Sequence, residues 1–157
     1  MSLEIEHKYL VQGDYRSLAA SSTHIVQGYL CRDADRTVRI RLRDDKGYIT
    51  IKGKSTADGL QRFEWEREIS AGDAWQLMKL CLPGVVDKRR YLVPWRGHTF
   101  EVDEFAGDNA GLVMAEVEVS RADEDFDKPP FIGKEVTGDE RYYNSYLARC
   151  PYTQWPE

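Results

Sequence analysis

The chain has 157 residues, with 22 Lys and Arg against 27 Asp and Glu and a formal net charge of −5 at pH 7. That length suits one domain, 1–157, with a sizeable core, and the mild acidity without any Lys/Arg block argues against a nucleic acid polymer or an anionic membrane as partner. Cys31, Cys81 and Cys150 lack metal-ligand spacing, the start Met1-Ser2-Leu3-Glu4 fits no signal peptide, and no apolar run is long enough to span a bilayer, so the expectation is a cytoplasmic protein with reduced thiols.

The stretch 3–11 alternates as a β-strand does. Leu3, Ile5, His7, Tyr9 and Val11 share one face, while Glu4, Glu6, Lys8 and Leu10 share the other. His7 falls on the apolar side and reads as structural. Gly13-Asp14 makes a turn, and 15–20 reads as a short helix. A strand follows at 25–32, with Gln27, Tyr29 and Cys31 on one side, and Asp33-Ala34-Asp35 is turn chemistry.

The clearest alternation is 37–43: Val38, Ile40 and Leu42 point one way, Arg39, Arg41 and Arg43 the other. Asp44-Asp45-Lys46-Gly47 reads as a hairpin loop. The return strand, 48–54, carries Thr50, Lys52 and Lys54 on one face. Like charges set side by side on neighbouring strands destabilise a sheet, so this cationic group requires anions nearby.

At 62–69 a strand sets Arg62, Glu64, Glu66 and Glu68 opposite Phe63, Trp65 and Ile69. Ser70 reads as the N-cap of a helix over 71–82, with Trp75, Leu77, Met78 and Leu82 as its buried stripe and Pro83-Gly84 as its stop. Further strands are expected at 85–93, which brings Lys88 and Arg90 onto one face, at 98–105, which brings Glu101 and Asp103, and at 112–120, which brings Glu116 and Glu118. The tail holds a polar loop, 121–128, and a helix over 139–148.

Two architectures can house so many half-charged strands. A flat sheet packs its apolar face on helices and wets the other. A closed barrel turns the charged face inward, where it must meet ligand, water or opposite charge. The segregation of charge speaks for the barrel: acids cluster on the first, fifth and last strands, bases on the third, fourth and sixth. Glu4, Glu6, Glu116 and Glu118 are hard oxygen donors suited to Mg²⁺ or Mn²⁺. Arg39 and Arg41 offer planar forks for phosphate oxygens, and Lys8, Lys52 and Lys88 are point charges. These are the parts of phosphoryl transfer. No Walker-type glycine loop and no Gly-x-Ser-x-Gly is present.

Glu4-Ile5-Glu6-His7-Lys8, Val38-Arg39-Ile40-Arg41, Thr50-Ile51-Lys52, Glu64-Trp65-Glu66, Lys88-Arg89-Arg90-Tyr91, Glu101-Val102-Asp103 and Ala115-Glu116-Val117-Glu118 together resemble the CYTH superfamily, the triphosphate tunnel metalloenzymes. The tail from Gly133 to Asn144 is similar to small bacterial members. The resemblance implies a mainly β fold: a closed eight-stranded antiparallel barrel with a few peripheral helices and a C-terminal helix. It implies a divalent cation, Mg²⁺ or Mn²⁺, held by Glu4, Glu6, Glu116 and Glu118 with Asp103 in the metal set. It further implies a triphosphate gripped by Lys8, Arg39, Arg41, Lys52, Lys88 and Arg90, with Glu64 and Glu66 in support. Lys88 and Tyr29 are the candidates to help the attacking water. Arg43, Lys54, Arg62 and Glu68 are placed at a tunnel mouth. The expected activity is hydrolysis of inorganic triphosphate or a related small molecule. The alternatives are a class IV-type adenylate cyclase and a non-catalytic polyphosphate-binding module, and a homodimer is left open.

Overall fold

The structure, a computed structural model, describes residues 2–33 and 35–156; the turn expected at Asp33-Ala34-Asp35 has its central residue outside them. Nine strands run β1 (Ser2–Val11), β2 (Ser21–Arg32), β3 (Arg36–Arg43), β4 (Lys46–Ser55), β5 (Gln61–Ile69), β6 (Val86–Trp95), β7 (His98–Phe105), β8 (Val113–Glu118) and β9 (Ile132–Glu135). Two α-helices join them, α1 (Ala71–Met78) and α2 (Asn144–Arg149). The strand order is β5-β4-β3-β2-β6-β7-β8-β1-β9, and an added β1–β5 pairing closes the first eight strands into an antiparallel barrel. The flat-sheet alternative is thereby excluded. β9 was not expected from the sequence; it lies outside the closed ring, paired to the second half of β1.

Alternation decides what each face of this barrel meets. Val93, Phe100, Val102, Ala115, Val117 and Tyr9 face outward and pack under Phe131, forming one buried cluster. Ile40 and Leu42 face outward under Ala74 of α1. The apolar cores therefore lie outside the barrel, between the sheet and what covers it. One end of the interior is the exception. There Tyr29, Val86, Phe105 and Met114 turn apolar groups inward and meet Leu147 and Ala148 of α2, which seal that end.

Helix α1 is shorter than expected, and half of its expected stripe holds: Leu77 and Met78 pack against the core, while Trp75 and Leu82 do not. Trp75 is 56% exposed and Leu82, beyond the helix end, 39%; the fully buried residue is Ala74. Ser70 does cap it, accepting from the Asp73 N–H at 3.0 Å. Close approach to the sheet explains the small residue. A Cβ on Gly47 would lie 2.6 Å from Ala74 Cβ and 2.9 Å from the Ser70 carbonyl oxygen. Gly47 is thus a packing glycine within β4, and the hairpin turns on Asp44 and Asp45 alone, with Asp44 at φ 53°. Gly47→Ala should cost about 1–3 kcal/mol through overpacking, read as a lowered urea midpoint at unchanged slope.

The remaining helical expectations are corrected in the same direction. Residues 15–20 form only a single 3₁₀ turn, Arg16–Leu18. The helix expected over 139–148 is broken at Tyr143, whose backbone is extended (φ −76°, ψ 139°), into the 3₁₀ turn Glu140–Tyr142 and α2. This break carries Asn144 and Ser145 to the barrel interior. The segment is pinned by a backbone-to-backbone contact: Gly59 has φ +74°, and a Cβ there would fall 2.1 Å from Gly138 Cα.

Candidate active site

Among the described residues, a cavity of about 220 Å³ inside the barrel is lined almost wholly by polar and charged groups. Its volume is below the roughly 300–1,000 Å³ usual for drug-sized ligands, which favours a small compact guest. Period-2 alternation puts Glu4, Glu6 and Lys8 of β1, Arg39, Arg41 and Arg43 of β3, and Thr50 and Lys52 of β4 on the lining. Glu64 and Glu66 of β5, Lys88 and Arg90 of β6, Glu101 of β7, and Glu116 and Glu118 of β8 do the same. Tyr29 of β2 also reaches it.

Strand order turns this lining into two opposed arcs. β7, β8, β1 and β5 are consecutive around the ring and carry the acids; β4, β3, β2 and β6 complete it and carry most of the cations. Lys8 is a cation within the acidic arc, its Nζ 3.7 Å from Glu116 Oε1. Lys52, at one seam, bridges Glu4 at 3.2 Å and Glu64 at 3.5 Å.

The cationic arc is underpaired. Arg39 and Arg41 are buried, and among the described residues neither has a carboxylate within 4.0 Å. Arg39 donates to Thr50 Oγ1 at 3.3 Å, while its buried Nε bonds no group. Arg41 donates through Nε to Gln27 Oε1 at 3.0 Å. Burial, then the neighbouring Arg39 and Arg90, weaken the hold of Arg41 on its proton. Buried guanidinium donors without counter-charge are expensive, and an anion relieves the cost.

The acidic arc has the opposite problem. Burial, then Glu116 and Glu4, push Glu6 well above the ordinary carboxylate range. For Glu116 burial opposes ionisation, but Lys8, the bond with Glu6 and Arg90 outweigh it and hold its carboxyl well below. Glu116 thus opposes the ionisation of Glu6. A second pair behaves alike. Burial and the bond to Glu4 push Glu64 up to about 7, whereas Lys52 and Glu64 overcome burial at Glu4 and bring it down to about 2. Burial raises Glu118 as well. Among the described residues no three such side chains are already drawn together as an ion cage. Yet carboxylates crowded until they retain protons are hard oxygen donors short of a cation, so the residues fit a divalent ion of the Mg²⁺ type.

Asp103 is corrected. It was expected in the metal set, but it does not line the cavity and both its oxygens are taken. Oδ1 accepts from Arg90 Nε at 2.7 Å; Oδ2 accepts from Arg90 at 2.9 Å and from Lys88 Nζ at 2.7 Å. Burial opposes its charge, but Arg90 and Lys88 prevail and bring it down to about 2. Arg90 is further held by Glu101 at 3.2 Å. Lys88, only 1% exposed, is pushed down to about 7 by burial, an effect that Asp103 opposes and Arg90 and Arg41 reinforce.

Of the four residues placed at a tunnel mouth, Arg43 lines this cavity, and Lys54 and Arg62 line a neighbouring one beside Tyr143 and Tyr146; Glu68 lines neither. His7 lies outside the barrel, its Nδ1 2.9 Å from Glu135 Oε2. Sequence reading gave no lining role to Thr37, Thr50, Asn144 or Ser145. Period alone marks Thr37 and Thr50 as inward; nothing local marks Asn144.

Comparison with known proteins agrees with this geometry. A family model described as the CYTH domain matches residues 2–143. A protein of Acetivibrio thermocellus named inorganic triphosphatase is 48% identical over 159 residues, covering 100% of both chains. One of the same name from Nitrosomonas europaea is 35% identical, covering 92% of this chain and 96% of its own. A crystal structure of an inorganic triphosphatase superposes with a TM-score of 0.68 at 31% identity, covering 100% of this chain and 99% of that one. Barrel, charged interior and matched sequence coincide, and the chain belongs to the CYTH domain family.

Proposed function

We propose that this chain, as a single domain over 1–157, hydrolyses inorganic triphosphate with the help of a divalent cation. The observation that carries the reading is the pair of opposed arcs: buried guanidinium groups with no carboxylate in reach among the described residues face a crowded set of carboxylates across one cavity. A phosphate chain with its metal satisfies both at once. The names of its relatives point the same way.

In this reading Arg39, Arg41, Lys52, Lys8 and Arg90 bind phosphate oxygens and spread the charge of the transition state. Glu4, Glu6, Glu116 and Glu118 would hold Mg²⁺ or Mn²⁺, which when bound neutralises phosphate charge and polarises the phosphorus. Glu64 supports Lys52, and Asp103 holds Lys88 and Arg90 in place. Lys88 accepts a proton from water as the oxygen attacks the terminal phosphorus in line; the bridging P–O bond breaks and diphosphate leaves. Tyr29 stands on the same lining and helps orient that water.

The pH dependence follows from Lys88 and the groups around it: Asp103, Arg90, Arg41 and Asn144. With its proton loosened to about 7, Lys88 is a free base only above that pH. kcat/KM should therefore rise as pH rises through about 7 and then level. Lys88→Ala should lose the rise as well as the rate. A steady-state pH series with inorganic triphosphate measures both, and an unchanged profile in Lys88→Ala would remove Lys88 from the mechanism. The founding assay incubates the protein with inorganic triphosphate, ATP and thiamine triphosphate plus Mg²⁺ or Mn²⁺. Orthophosphate from triphosphate is expected; cyclic AMP, or binding without turnover, would overturn the assignment. Among the described residues no helix is long and apolar enough to cross a membrane. The three unpaired thiols support a cytoplasmic setting.

A further inference from the structure

We propose that Asn144, brought into the barrel by the C-terminal segment, is a positioning residue that aims the Lys88 amine at the reacting phosphate, and that Gln27 sets its orientation. This rests on the triphosphatase reading above. The Arg41 guanidinium can only donate. Its Nε donates to Gln27 Oε1 at 3.0 Å, so Gln27 must turn its Nε2 the other way. That Nε2 donates to Asn144 Oδ1 at 3.2 Å. Asn144 Oδ1 is therefore committed to this side, where Lys88 Nζ donates to it at 2.8 Å. Partner chemistry, not amide shape, fixes both orientations.

Lys88 Nζ has a second fixed partner in Asp103 Oδ2 at 2.7 Å. A neutral amine has two hydrogens, and this clamp uses both. The lone pair is left to point at the cavity that Lys88 lines. With Asp103 alone, the amine would still swing about one bond. Two acceptors remove that freedom, and a general base works only within hydrogen-bond reach and proper aim. Asn144 opens α2, and among the described residues the side-chain bonds of its Oδ1 are to Gln27 and Lys88, not to the helix.

Steady-state kinetics on inorganic triphosphate with Mg²⁺ test this, using Asn144→Ala, Asn144→Asp, Lys88→Ala and the Asn144→Ala/Lys88→Ala double variant. Asn144→Ala should lower kcat roughly 10–100-fold while KM stays within about threefold. The double variant should be no slower than Lys88→Ala, because Asn144 acts through Lys88. Asn144→Asp keeps an acceptor, so it should recover activity, with the rise in kcat/KM moved to higher pH because a carboxylate favours the ammonium. If Asn144→Ala does not fold, Asn144→Asp against the similarly sized Asn144→Leu carries the same comparison. An Asn144→Ala enzyme within about twofold of the parent, beside an inert Lys88→Ala, overturns the clamp and leaves the triphosphatase reading standing. So does a double variant slower than Lys88→Ala by the full Asn144 factor. A parent protein that releases no phosphate from triphosphate instead defeats that reading, and the clamp with it.

Discussion

Asp103→Ala should destabilise this protein strongly, costing about 3–5 kcal/mol. Asp103 is 3% exposed and answers two buried cations at once, Arg90 through both its oxygens and Lys88 through one. Among the described residues, removing it leaves Arg90 with the outer Glu101 carboxylate and Lys88 with the Asn144 amide as polar partners. The carboxylate also gives the expected acid limb of stability. Its folded value, about 2, lies below the 3.8 of an open chain. The stabilisation is therefore complete above 3.8 and is lost as pH falls through about 2. Urea unfolding from neutral to low pH should show that loss in the parent and a shallower one in Asp103→Ala. A variant as stable as the parent at neutral pH would mean that Lys88 and Arg90 find other partners. Saturating triphosphate should restore part of the lost stability, since a bound anion supplies counter-charge to the same cations.

Arg39→Ala and Glu4→Ala should each abolish triphosphate hydrolysis for practical purposes, lowering kcat/KM at least about 10³-fold. The two fail for different reasons. Arg39 is buried with an unpartnered Nε, so its loss removes phosphate-facing donors while relieving an unpaired charge. Binding of triphosphate should weaken, and folding stability should hold or rise. Glu4 accepts from Lys52 at 3.2 Å and keeps its charge because of it. Its loss frees Lys52 toward Glu64 alone and removes an oxygen donor from the acidic arc, so the metal requirement should shift to higher concentration. Arg39→Lys should recover little, because a point charge cannot replace a planar two-donor fork. Kinetics at several Mg²⁺ concentrations separate these outcomes, and near-parental activity in either alanine variant would discredit the site.

Much of this was legible residue by residue. Arg39 and Arg41 flank Ile40 in the sequence and face the cavity in the structure because alternation along a strand admits no other arrangement once Ile40 is buried under α1. Glu4, Glu6, Glu116 and Glu118 follow by the same rule. Helix lengths were less legible, since a stretch of suitable composition does not say where packing stops. α1 ends at Met78, and the apolar Leu80 and Leu82 beyond it stay exposed. Asp103 misled for a related reason: its strand face was right, but its depth was not. A carboxylate deep in the wall finds Lys88 and Arg90 before it can meet a cation.

The sequence by itself determined which side chains share a face and which strands are acidic or basic, and its segregation of charge favoured an enclosed home over a wetted sheet; these follow from the two-residue period and the cost of burying charge. Only the tertiary structure decided the rest. Closure of β1 on β5 brings four acidic strands into one arc. Packing of α2 against Tyr29, Val86, Phe105 and Met114 covers one end with apolar groups. The kink at Tyr143 sets Asn144 against Lys88, 56 residues away along the chain. Pairing between distant segments depends on how loops close and surfaces pack, and no local periodicity encodes that.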